Sequence, residues 1–150
     1  MTASPLLGPV VALVAWSLIV LTYLAIARFR GIKRAGLKVD PSRGGRGQDL
    51  EGVIDAKANW PAHNYAHLME QPTVFYATAV ILAIVGAGAA DILAAWIYVG
   101  LRIVHSVWQS TVNTVTVRFA LFIAATFALL FLGVRAVVAT VLADPSALPA

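Results

Sequence analysis

Four stretches of this chain, Leu6–Phe29, Pro72–Ala90, Ile92–Val112 and Phe119–Leu142, are each long and apolar enough to cross a hydrocarbon layer. Such a layer is about 30 Å thick and takes a helix of about 20 residues. In lipid every backbone N–H and C=O must find its partner within the protein, so spans of this length are helices. Of the 150 residues only 12% are charged and 60% are hydrophobic, too little charge to coat a soluble domain of this size. The first stretch is expected to be retained. No basic residue precedes it, and its apolar run is longer than a signal-peptide core. The chain has no cysteine, which removes disulfides, a thiolate nucleophile and thiolate metal sites. No metal is expected.

The net charge of +4 does not point to nucleic acid, because the basic residues are not spread over a surface. Eight of eleven, Arg28, Arg30, Lys33, Arg34, Lys38, Arg43, Arg46 and Lys57, fall at the end of the first span or in the loop between it and the second. Cytoplasmic loops carry such an excess, so this loop is expected inside and both termini on the non-cytoplasmic side. GAGAAD (Gly86–Asp91) and NTVTV (Asn113–Val117) then make tight turns, and loops this short force antiparallel neighbours. The expected fold class is an all-α integral membrane protein, an up-down four-helix transmembrane bundle forming one domain over residues 1–150. Its helices are placed near 6–29, 60–89, 91–113 and 116–142, with a basic loop over 30–58. Within that loop PSRGGRGQD (Pro41–Asp49) combines Pro, Gly and charge and is expected to be mobile, in contact with water or anionic head groups. The second helix is expected to start near Trp60, with Asn59 as cap and Pro61 in the first turn, and to kink at Pro72.

Polar residues break the apolar pattern in two places. In LRIVHSVWQS (Leu101–Ser110), Arg102, His105, Ser106 and Gln109 recur at spacings of three and four and share a helix face. Arg102 would lie about 16 Å along its span, near mid-membrane. A lipid-facing charge there costs on the order of 3 kcal/mol, so Arg102 should face the bundle interior. In the second helix Asn64, His67 and either Glu70 or Gln71 form a stripe, and Glu70 is the acidic residue at matching depth. An Arg102–Glu70 ion pair is therefore expected. Arg118 opens the fourth helix on the cytoplasmic side. The set as a whole reads as an anion-binding pocket or as a register-fixing buried pair.

The frame GLRIVHSVWQSTVNTVTVRFALF, with Arg102, His105 three on and Arg118 sixteen on, resembles the MAPEG family, the membrane-associated proteins of eicosanoid and glutathione metabolism. NYAHLMEQP followed by TVFY resembles the family's second-helix signature. The similarity runs from about Asn59 to Arg135. It implies a homotrimer with glutathione between neighbouring subunits at the cytoplasmic side, contacted by Asn64, Glu70, Arg102, His105 and Gln109, with Arg118 as the catalytic residue beside the thiolate. It further implies a glutathione-dependent transferase or peroxidase acting on a lipophilic small molecule from the surrounding membrane lipids. The alternatives are a non-catalytic lipid-binding protein and a structural membrane protein of the same fold. Family enzymes carry Arg and Tyr where this chain has His63 and Gln109. The spacing of Glu70 from Pro72 resembles bacterial members, which implies a bacterial inner membrane.

Overall fold

The computed structural model describes residues 3–38, 40, 42 and 44–143. The loop positions Pro41 and Arg43 and the two chain ends lie outside the described residues. Four helices follow one another: α1 (Leu7–Arg34), α2 (Ala56–Val85), α3 (Ala89–Thr111) and α4 (Val115–Thr140). All four are long and apolar enough to cross a membrane. The central pair α2 and α3 pack together, and α1 and α4 flank them. The outer surfaces carry large exposed apolar residues such as Val11, Ile84, Leu93, Phe127 and Val134, as a lipid-facing bundle requires.

Local chemistry sets the boundaries, and in α1 and α2 it moves them from the expected positions. α1 continues five residues past Phe29 because Arg30, Lys33 and Arg34 are compatible with helix, and the last two suit the negative end of its dipole. Gly36, at φ +65°, ends it with its N–H on the Lys33 carbonyl. α2 begins at Ala56 rather than Trp60: Asp55 is the cap, its Oδ1 accepting from the Lys57 N–H at 3.1 Å. Asn59 is instead buried inside the helix and donates to the Leu50 carbonyl at 3.2 Å. Both prolines lie within α2. Neither can donate a backbone hydrogen bond, so the turns before Pro61 and Pro72 have a carbonyl with no helical partner. The loop between α1 and α2 is also less open than its composition suggests. A single 3-10 turn, Gly47–Leu50, is closed by the Arg46 N–H donating to Asp49 Oδ2 at 2.7 Å.

Two short connections fix the other pairs. Between α2 and α3, Asp91 Oδ2 accepts from the Gly88 N–H at 2.9 Å, and its Oδ1 accepts from Arg135 Nε on α4 at 2.9 Å. Between α3 and α4, Asn113 takes a left-handed conformation at φ 61° and bonds back to the Trp108 carbonyl at 2.8 Å. Asparagine tolerates that region better than other non-glycine residues. Midway along the bundle, Phe75 of α2 stacks on Tyr98 of α3 with ring centroids 4.5 Å apart. Gln71 donates to Thr126 of α4 at 2.8 Å and accepts from the Tyr98 hydroxyl at 3.3 Å, tying three helices together.

Candidate functional site

The polar face of α3 is buried in full: Arg102, His105, Ser106 and Gln109 are each at most 2% exposed. Asn64 of α2, 1% exposed, donates from Nδ2 to Ser106 Oγ at 2.7 Å and to Ser110 Oγ at 2.9 Å. Trp16 of α1 donates to the same Ser106 hydroxyl at 2.8 Å. Three helices therefore meet on one serine, and the periodicity that brought Asn64 and Arg102 into one cluster is realised in packing.

Arg102 does not pair with Glu70, contrary to the expectation from depth. Its Nη2 donates to the His67 carbonyl at 2.6 Å. Glu70 lies 67% exposed on the outside of α2, its Oε2 3.7 Å from His67 Nδ1. Of the two residues that spacing offered for the inward stripe, the structure turns Gln71 inward. The reason lies in what each face offers. The inner one holds the Thr126 and Tyr98 hydroxyls, which satisfy an amide at no cost in buried charge.

The cluster is under-satisfied within the described residues. Arg102 Nε and Nη1, Asn64 Oδ1, His67 Nδ1, Gln109 Oε1 and Arg118 Nε are buried with no hydrogen-bond partner. Buried polar atoms are paired in the great majority of cases, so a concentration like this belongs to a site that receives a further group or water. Arg118 stands in the first turn of α4, and its Nη1 donates to Asn113 Oδ1 at 2.8 Å. The left-handed turn thus orients the guanidinium. The positive end of the α4 dipole adds to its field.

An open cleft of about 280 Å³ is lined by His67, His105, Arg118, Val115, Phe119 and Phe122. The His67 ring lies 5.4 Å from that of His105 and meets Phe122 edge-on at 5.7 Å. Of the expected site residues, the structure brings His105 and Arg118 to this cleft. Asn64, Arg102 and Gln109 lie in the buried cluster, and Glu70 lies outside. His63 is elsewhere, 2.7 Å from Glu51. The expected set omitted His67, Phe119 and Phe122. Helical spacing held the signal: Phe122 is four residues after Arg118 and His67 three after Asn64. Chemically, the cleft combines two imidazoles and a fixed cation with aromatic surface, which suits an anionic or thiolate group joined to apolar matter.

A family model described as MAPEG family matches residues 6–138. Comparison with curated proteins and with solved structures returned no match.

Proposed function

The chain belongs to the MAPEG family, and on that footing we propose that it is a membrane glutathione-dependent transferase or peroxidase acting on a lipophilic substrate. The observation that carries this is the Arg118 guanidinium, held through Nη1 by Asn113 and with Nε unpartnered, beside an aromatic-walled cleft. A free thiol has a pKa near 8.5, and a neighbouring cation favours its thiolate. Lowering that pKa by two units needs about 2.7 kcal/mol, within reach of one partly desolvated arginine. Arg118 thus holds the sulfur as an anion while its proton leaves to water. Phe119, Phe122 and Val115 receive the apolar body of the second substrate: its electrophilic carbon takes the sulfur electron pair as a leaving group departs with its own pair, or a hydroperoxide's O–O bond breaks as one oxygen is transferred to sulfur and the alcohol leaves, a second glutathione then converting the sulfenic acid to disulfide and water. Arg102, Asn64 and Gln109 supply donors and acceptors behind this wall for the polar remainder of the thiol.

The active form proposed is a homotrimer, with the loop side of the bundle in the cytoplasm. Support comes from Glu70, a carboxylate exposed about 21 Å along a membrane-crossing helix. Left in hydrocarbon it would cost a few kcal/mol, so another copy of the chain covers it. The test is turnover: the protein in proteoliposomes is given glutathione with a lipophilic electrophile or a lipid hydroperoxide. Conjugate or reduced lipid formed by the wild type and lost in Arg118→Leu supports the proposal. Equal rates in protein-free liposomes refute it.

A further inference from the structure

Along α1, Trp16, Ile19, Tyr23, Ile26, Arg30 and Arg34 recur at spacings of three and four, so one face of the helix passes from apolar to cationic. A groove runs beside that face. Its part nearer mid-bundle, about 320 Å³, lies between α1 and α3 and is walled by Trp16, Ile19, Val20 and Val107. Its second part, about 230 Å³, lies between the end of α1 and the start of α2 and is walled by Ile26, Arg30, Arg34, Asp55 and Lys57. Tyr23 lines both, so the two run on into each other. Gly31 and Ala58 floor the second part, with side chains too short to fill the space that the basic residues surround. Three cations outnumber one carboxylate there. Asp55 accepts from the Lys57 N–H as the cap of α2, while no ion pair among the described residues engages Arg30, Arg34 or Lys57. The Lys57 ammonium lies 5.9 Å from the centroid of the Trp60 ring, and an indole beside a cation suits the boundary between head groups and acyl chains.

We propose that this groove binds one anionic phospholipid from the leaflet on the α1–α2 loop side, its phosphate held by Arg30, Arg34 and Lys57 and one acyl chain laid along Ile19, Val20 and Val107. The dimensions agree. From Trp16 to Arg30 the helix rises about 21 Å, and one leaflet with its head groups is half of about 40–45 Å. The chemistry agrees as well, since the planar guanidinium fork matches phosphate oxygens and the apolar wall continues where the ester-linked chains begin. The groove lies on the α1 and α3 side of the bundle, whereas the cleft with His67 and Arg118 lies against α4, so the lipid site does not rest on the thiol reading.

The experiment is native mass spectrometry of the purified protein in mild detergent, titrated with phosphatidylglycerol or with phosphatidylcholine of the same acyl chains. The wild type is expected to bind its first phosphatidylglycerol about tenfold more tightly than phosphatidylcholine. Arg30→Gln with Arg34→Gln should weaken phosphatidylglycerol about 25-fold, about fivefold for each charge removed beside an anionic head group, and leave phosphatidylcholine unchanged. Lys33→Gln with Lys38→Gln makes the same charge change outside the groove and should weaken it less than fivefold. All four side chains are exposed, so both double variants keep the fold. Glycerophosphoglycerol, the same head group without acyl chains, should not displace the lipid at a large excess. Equal affinity of the wild type for the two lipids would overturn the proposal by removing charge selection. Equal losses in the two double variants would overturn it by making the attraction diffuse. Displacement by glycerophosphoglycerol would overturn it by assigning the cations to a soluble phosphate.

Discussion

Arg102 and Arg118 carry the same charge on neighbouring helices, yet their surroundings give them different work. Arg118 has one hydrogen bond, to Asn113, and a place on the cleft wall, so its substitution is a chemical lesion. Arg118→Leu should abolish turnover while the purified protein keeps its thermal unfolding midpoint within a few degrees. Asn113→Gly should separate orientation from charge. Glycine keeps the left-handed turn at φ 61° but frees the guanidinium, so turnover should fall while the helices stay intact by circular dichroism. Arg102 is 1% exposed, and its bond goes to a backbone carbonyl rather than a carboxylate. Were it paired with a buried Glu70, Arg102→Leu would strand a charge and cost about 3 to 5 kcal/mol. Since no carboxylate is stranded, the cost should be below about 2 kcal/mol, and a larger loss in detergent unfolding would contradict the geometry. The sequence made Arg102, His105 and Gln109 legible as one buried face, because a period of 3.6 needs no partner to be read. It did not show which residue Arg102 bonds. Glu70 and Gln71 are adjacent on the helix, and only the Thr126 and Tyr98 hydroxyls decide between them.

Helix extents follow from caps and close approaches that sequence alone states weakly. Apolar length announced four spans. The start of α2 was misplaced because Asn59 ahead of Pro61 imitates a cap, whereas Asp55 performs that task and Asn59 turns inward to Leu50. The α1–α2 contact rests on Gly31, where an added Cβ would come within 2.9 Å of the Ala58 Cβ and 3.0 Å of Ile54 Cδ1. Gly31→Leu should therefore push the two helices apart and cost about 1 to 3 kcal/mol, read as a lower unfolding midpoint. At the opposite end Asp91 is fully buried and Arg135 partly exposed. Removing the arginine leaves the carboxylate buried without its cation, so Arg135→Leu should destabilise more than Asp91→Asn, which leaves a neutral amide that still hydrogen-bonds. The reverse order would show that the pair does not act as a clasp between α3 and α4.

For the whole molecule, the proposed orientation rests on the eight basic residues from Arg28 to Lys57, at the end of α1, in the loop and at the start of α2, and reporter fusions at Arg46 and Ala150 should give opposite signals, cytoplasmic at Arg46. If the proposed homotrimer covers the exposed Glu70, native mass spectrometry in mild detergent should find a trimer rather than a monomer. Orientation and assembly matter because they decide whether a water-soluble thiol reaches Arg118 from the cytoplasm while a lipophilic partner arrives from the bilayer. The central claim is that this cleft holds a thiol as its thiolate, and its most direct measurement is the ultraviolet thiolate absorbance of the purified protein as glutathione is added. A saturable signal in the wild type, absent in Arg118→Leu, is the predicted result. No signal at any glutathione concentration, or one that Arg118→Leu leaves intact, would contradict it.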